Sequence, residues 1–121
     1  MTIVDTSVWI DHFRSGNNAL TQMLTSQSVL MHPFVFGELA CGGLRNRTQV
    51  LADLNTLPMV PTATHDEALR LIEKRRLWGK GIGWVDSHLL ASALISDCVV
   101  WTLDKQLANI AEALGVGLNR G

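Results

Sequence analysis

Four carboxylates stand where carboxylates are costly. Asp5 follows the short β-prone run Thr2-Ile3-Val4, and Asp104 follows a second run, Cys98 to Leu103. Asp86 heads a helical stripe in which Leu89, Leu90, Ala93 and Leu94 fall at i+3, i+4, i+7 and i+8. Glu38 shares a helix face with Phe34, Val35 and Cys41. An ionised acid among apolar neighbours is expensive unless something pairs with it. If the two strands are parallel neighbours, Asp5 and Asp104 lie on the carboxyl edge of one sheet, where α/β proteins place ligands. Asp86 and Glu38 could point to the same edge. Four acids in one pocket repel unless some stay protonated or a cation joins them. Hard oxygen donors in that number suit Mg²⁺ or Mn²⁺. Such an ion can activate water for attack on a phosphodiester.

Each acid also has an ordinary reading. Asp5 could cap the helix after it, and Asp86 could be a first-turn acid favoured by the helix dipole. Asp104 could start a turn, and Glu38 could reach out to solvent. Taken together, these readings require four coincidences at two strand ends and two apolar helix faces. Ser7 and Thr102, each two positions from a strand-end acid, could hold a metal-bound water, cap a helix or pair within a strand.

The elements that must position these groups follow in order. Thr6 to Phe13 reads as a first helix, Arg14 to Asn18 as a turn, Ala19 to Ser26 as a helix and Ser28 to Met31 as a second strand. Pro33 opens a helix that Gly42-Gly43 closes. A further helix spans about Gln49 to Leu57, and Pro58 to Pro61 is extended. Thr64 and Glu67 form a capping-box pattern. The helix they open turns basic at Arg70, Lys74, Arg75, Arg76 and Lys80, with Glu73 as the acid in that run. Gly79 to Gly83 reads as a connector, lacking the Gly-Lys-Ser/Thr end of a phosphate-binding loop. Leu107, Ile110, Ala111 and Leu114 define a last helix, with an edge strand at Gly115 to Leu118. Alternating strands and helices indicate an α/β domain with a mainly parallel sheet, one domain over residues 1–121.

Composition narrows the class. The chain is 47% hydrophobic with a mean hydropathy of +0.19, and no apolar run is long enough to span a bilayer. Cys41 and Cys98 form no Cys-x-x-Cys pattern, which suits a reducing cytoplasm. The histidines show no zinc spacing. Ten Lys+Arg against eleven Asp+Glu give a net charge of −1, so any nucleic-acid contact must come from local patches. The run Arg70 to Lys80 is the best such patch, with a solvated helix face as its alternative. Arg45 and Arg47, close after Gly42-Gly43, could hold RNA or a partner's carboxylate. Trp9, Trp78, Trp84 and Trp101 read as core or dimer-contact residues rather than base-stacking platforms, and His88 falls off the apolar stripe.

The sequence resembles the PIN-domain ribonucleases and, within them, the VapC toxins of bacterial toxin–antitoxin pairs. The matching pieces are residues Ile3 to Ile10, Glu38 to Gly42, Gly81 to Leu94 and Trp101 to Leu107, in that order. The last two are the more specific, and the resemblance covers essentially the whole chain. It implies a PIN-like three-layer α/β/α fold. It also implies Mg²⁺ or Mn²⁺ held mainly by Asp5 and Asp86, with Glu38 and Asp104 completing the pocket. Further implications are cleavage of RNA (tRNA or rRNA), a homodimer, and inhibition by a cognate VapB-type antitoxin. Ser92 departs from the Thr or Ala expected there. Two competing readings are a receiver-like phospho-Asp signalling domain and a small-molecule phosphatase. The first is disfavoured because Asp86 and Glu38 fall on helices, the second because Ser7 breaks the Asp-x-Asp start.

Overall fold

The computed structural model describes residues 1–118; the last three residues of the expected 1–121 span lie outside them. The elements run β1 (Thr2–Val4), α1 (Thr6–Ser15), α2 (Asn18–Thr25), β2 (Val29–Leu30), α3 (Pro33–Cys41), α4 (Arg47–Leu54), α5 (His65–Arg75), α6 (Trp84–Ser96), β3 (Val99–Trp101) and α7 (Lys105–Ala113). The fold is α/β, with a parallel sheet in the order β2-β1-β3. Single bridges from Met31 to Met59 and from Val100 to Gly117 widen it at both sides.

The centre of the sheet carries the core. Ile3 and Val4 are fully buried and Val100 nearly so, among Val8, Leu20, Val35, Leu89, Leu90 and Leu107. Burying each such side chain contributes about 1.5–3 kcal/mol before chain entropy is counted. A strand buried on both faces reads as a continuous apolar run, and Ile3-Val4 is one. The register sets Val4 beside Trp101, and the Asp5 N–H donates to the Trp101 carbonyl at 2.9 Å. Asp5 and Thr102 therefore leave the sheet side by side.

Several expectations are corrected. The turn expected at Arg14 to Asn18 shrinks to Gly16 and Asn17. Gly16 reverses the chain at φ 77°, and the Asn17 side chain accepts from the Leu20 N–H to start α2 at once. On α3 the buried residues are Val35 and Leu39, one helical turn apart, so Glu38 and Cys41 face solvent rather than apolar neighbours. On α6 every residue from Ser87 to Ala93 is buried, because α5 packs on it from one side and β3 from another. His88 is accordingly inside the protein, while Leu94 is 38% exposed. Trp9 and Trp101 are core residues as expected; Trp78 and Trp84 are not. Ser92 has a structural use: its hydroxyl accepts the Ala63 N–H at 3.0 Å, a bond that alanine could not make.

Candidate functional site

Asp5 occupies the N-cap position of α1, yet its carboxylate makes no capping hydrogen bond. Its Oδ2 instead accepts from the Thr102 hydroxyl at 2.7 Å and the Ser7 hydroxyl at 2.8 Å. Each hydroxyl has one proton, so with both aimed at Oδ2 the 3.3 Å approach of Ser7 to Thr102 carries none. The hydroxyl oxygens are occupied in turn, Ser7 by the Leu103 N–H and Thr102 by the Asp104 N–H, both at 3.0 Å. Asp5 is buried, and this network holds its carboxylate at the sheet's carboxyl edge. Ser7 and Thr102 thus brace Asp5 directly.

The other acids are held by one oxygen each. Asp86, in the first turn of α6, accepts the Gly83 N–H at 3.3 Å. Asp104 caps α7 by accepting the Leu107 N–H at 3.0 Å. Glu38, exposed on α3, accepts from the Thr6 hydroxyl at 2.6 Å. Thr6 had no distinguishing signal in the sequence, yet it ties α3 to the residue beside Asp5. The ordinary reading of Asp86 as a first-turn acid holds as far as it goes, whereas Asp104, expected in that reading to start a turn, caps a helix instead. Among the described residues, the second oxygen of all four carboxylates accepts no hydrogen bond.

Three of the acids act on the fourth, Asp86. Burial pushes the Asp86 carboxyl above the usual carboxylate range, the Gly83 N–H opposes this, and the charges of Asp5, Asp104 and Glu38 push it further up. Among the described residues, no cation contributes to this rise or offsets it. Crowded, hard and uncompensated oxygen donors fit a divalent cation such as Mg²⁺ or Mn²⁺. They do not form a closed shell: among the described residues no three His, Cys, Asp or Glu side chains converge tightly enough to hold a metal by themselves.

Comparison with known proteins decides the family. The PIN-domain family model matches residues 2–113. The chain belongs to the PIN-domain family. Ribonuclease VapC32 of Mycobacterium tuberculosis, in strains CDC 1551 / Oshkosh and H37Rv, is 45% identical over 119 residues, 98% of this chain and 96% of the relative. PIN membership leaves the receiver-like and phosphatase readings without support.

The remaining candidate residues of this PIN domain are basic. Arg70, Lys74, Arg75, Arg76 and Lys80 are all exposed, on α5 and the segment that leads to Gly83. Two donors of Arg47 converge on the Ala40 carbonyl, at 2.7 and 3.1 Å, and so close the end of α3. Arg45 lines a cleft of about 620 Å³ with Glu38, Ile10, Phe13 and Arg14. The spacing of the histidines gave no sign of the aromatic cluster they form. His88 lies edge-on to Trp84 and Phe34, and its Nε2 is 3.1 Å from His65 Nδ1. No described helix is long and apolar enough to cross a membrane.

Proposed function

We propose that this PIN domain, a single domain over residues 1–121, is a metal-dependent endoribonuclease toxin of a type II toxin–antitoxin system. It hydrolyses phosphodiester bonds of RNA, tRNA or rRNA by preference. The observation that carries the reading is Asp5, which forgoes the cap at its own helix and is clamped by Ser7 and Thr102 beside the acid that three other carboxylates perturb. Asp5 and Asp86 would hold Mg²⁺ or Mn²⁺, with Glu38 and Asp104 completing the acidic pocket. An open set suits this ion, which keeps several waters and takes only one or two carboxylates directly. When bound, it supplies an activated water and charge stabilisation at the phosphodiester.

The chain's own residues do the positioning. The two hydroxyls that donate to Oδ2 hold the Asp5 carboxylate in place. Asp86 holds a proton more readily than an isolated aspartate, and a counter-charge at the edge would release it. Asp104 and Glu38 are fixed through α7 and Thr6. Arg70, Lys74, Arg75, Arg76 and Lys80 engage phosphates of the RNA, and Arg45, with the one unengaged edge of Arg47, faces RNA or antitoxin. The resemblance to VapC toxins leads us to expect a homodimer, a cognate VapB-type antitoxin and a cytoplasmic site of action.

Asp5→Asn or Asp86→Asn removes a ligand charge at constant volume. Each is expected to reduce RNA cleavage at least about 100-fold and abolish growth inhibition, with the fold retained by circular dichroism. EDTA should abolish cleavage by the parent, and Mg²⁺ or Mn²⁺ should restore it. Cleavage untouched by chelator, or undiminished in both variants, refutes the assignment.

A further inference from the structure

The four tryptophans divide by environment. Trp9 and Trp101 are 1% and 8% exposed, and Trp84 lies flat on His65 with ring centroids 5.5 Å apart. Trp78 is 59% exposed and makes no ring contact with any described residue. An indole left this open, beside a neighbour as deeply buried as Leu77 (5% exposed), invites a partner for its face. Three cations lie within three positions of it in the chain: Arg75, Arg76 and Lys80, all exposed.

The backbone around it is specified closely. Arg76 ends α5 at φ 56°, ψ 51°, a left-handed position that glycine would fill with less strain. A guanidinium stands there instead. Gly79 (φ 69°) and Gly81 (φ 83°) bracket Lys80, and a Cβ added at Gly81 would come within 3.2 Å of the Gln106 side chain. The loop therefore lies against the first turn of α7, directly after Asp104. Its far end is Gly83, whose N–H binds Asp86. Residues 77–83 thus run from the end of α5 to the start of α6, and their second half, Gly81 to Gly83, touches the two helix starts that carry Asp104 and Asp86.

Tryptophan and arginine also occur at protein interfaces, but lysine is depleted at their centres, and Lys80 stands two positions from the indole. Single-stranded nucleic acid wants an aromatic face for a base and flanking cations for phosphates. We infer that Trp78 is a stacking platform for one nucleobase of single-stranded RNA near the cut phosphodiester, with Arg76 and Lys80 on its neighbouring phosphates. This rests on the ribonuclease reading and assigns a substrate-positioning role to a residue outside the acidic pocket.

The test measures binding of a short, fluorescently labelled single-stranded RNA of mixed sequence to the full chain, with Asp86→Asn present throughout to prevent cleavage. Trp78→Ala should weaken binding about 5- to 100-fold, the loss of one base–aromatic stack, whereas Trp78→Phe should stay within about 3-fold. Trp78→Leu keeps apolar bulk without a stacking face and should behave like alanine. If the alanine variant melts early, the phenylalanine and leucine pair makes the comparison. Undiminished binding by Trp78→Ala, or full rescue by leucine, overturns the stacking role. So does loss of binding accompanied by a change in oligomeric mass, which would make Trp78 a contact between copies. A parent protein that neither binds nor cuts RNA sinks the ribonuclease reading itself; a parent that does both, with Trp78→Ala indifferent, sinks only this inference.

Discussion

At Asp5 the side chain has two possible employments, and the backbone permits both. A residue that leaves a strand and enters a helix occupies the N-cap position, where aspartate is favoured for capping alone. Sequence therefore leaves the capping reading open, and only the direction of the carboxylate closes it. That direction is set by two hydroxyls separated by 95 positions in the chain. If they orient a metal ligand, removing either should cost about 10- to 100-fold in metal affinity or activity, the usual effect of groups that support a ligand. Thr102→Val should be the more damaging, because Thr102 is buried and also accepts the Asp104 N–H. Thr102→Ser should restore most of the loss. Rates measured against Mg²⁺ concentration read this directly, and an unchanged Mg²⁺ dependence in both Ser7→Ala and Thr102→Val would reduce the hydroxyls to scaffolding.

Helices were legible where chain punctuation marks them, and less so in the faces they bury. Pro33 and Gly42 bracket α3, and Thr64 with Glu67 opens α5 through reciprocal hydrogen bonds at 3.1 and 2.9 Å. The two adjacent parallel strands ending near Asp5 and Asp104 were likewise readable as apolar runs. The face of α3 was not, because Phe34, Val35, Leu39 and Cys41 nearly encircle it and periodicity cannot choose among them. Nor was its cap, since histidine is not a favoured N-cap residue: His32 Nδ1 accepts the Phe34 N–H at 3.0 Å. That bond requires neutral imidazole. Burial, then the nearby His88, lowers the His32 pKa from 6.5 to about 4. The unfolded chain therefore binds a proton that the folded chain refuses between those values. His32 contributes stability that is fully present above pH 6.5 and is lost as pH falls toward 4. His88, lowered by burial and by His65, acts in the same direction. His32→Asn keeps an oxygen acceptor at the cap and removes the titration. Urea unfolding at pH 7.5 and pH 5 should show a smaller loss of stability for this variant than for the parent. An equal loss would place the acid sensitivity elsewhere.

The molecule as a whole offers RNA no net attraction, because its charge is −1. Long-range steering is therefore weak, and affinity must come from cations gathered in one place. On the proposed reading, Arg70, Lys74, Arg75, Arg76 and Lys80 supply that gathering on the segment leading to Asp86, while the acidic edge repels phosphate until a cation neutralises it. Both statements have a salt signature. Five cations that each displace a counterion from single-stranded RNA give log K against log salt a slope near −3.5, about −0.7 for each phosphate engaged. Replacing Lys74 or Arg75 by alanine should make the slope shallower by about 0.7 and weaken all sequences alike. A parent slope near zero would return the basic run to the role of a solvated helix face. Trp78→Ala provides the internal contrast: a lost stack should lower affinity while the slope stays where it was, because no phosphate contact is removed with the indole.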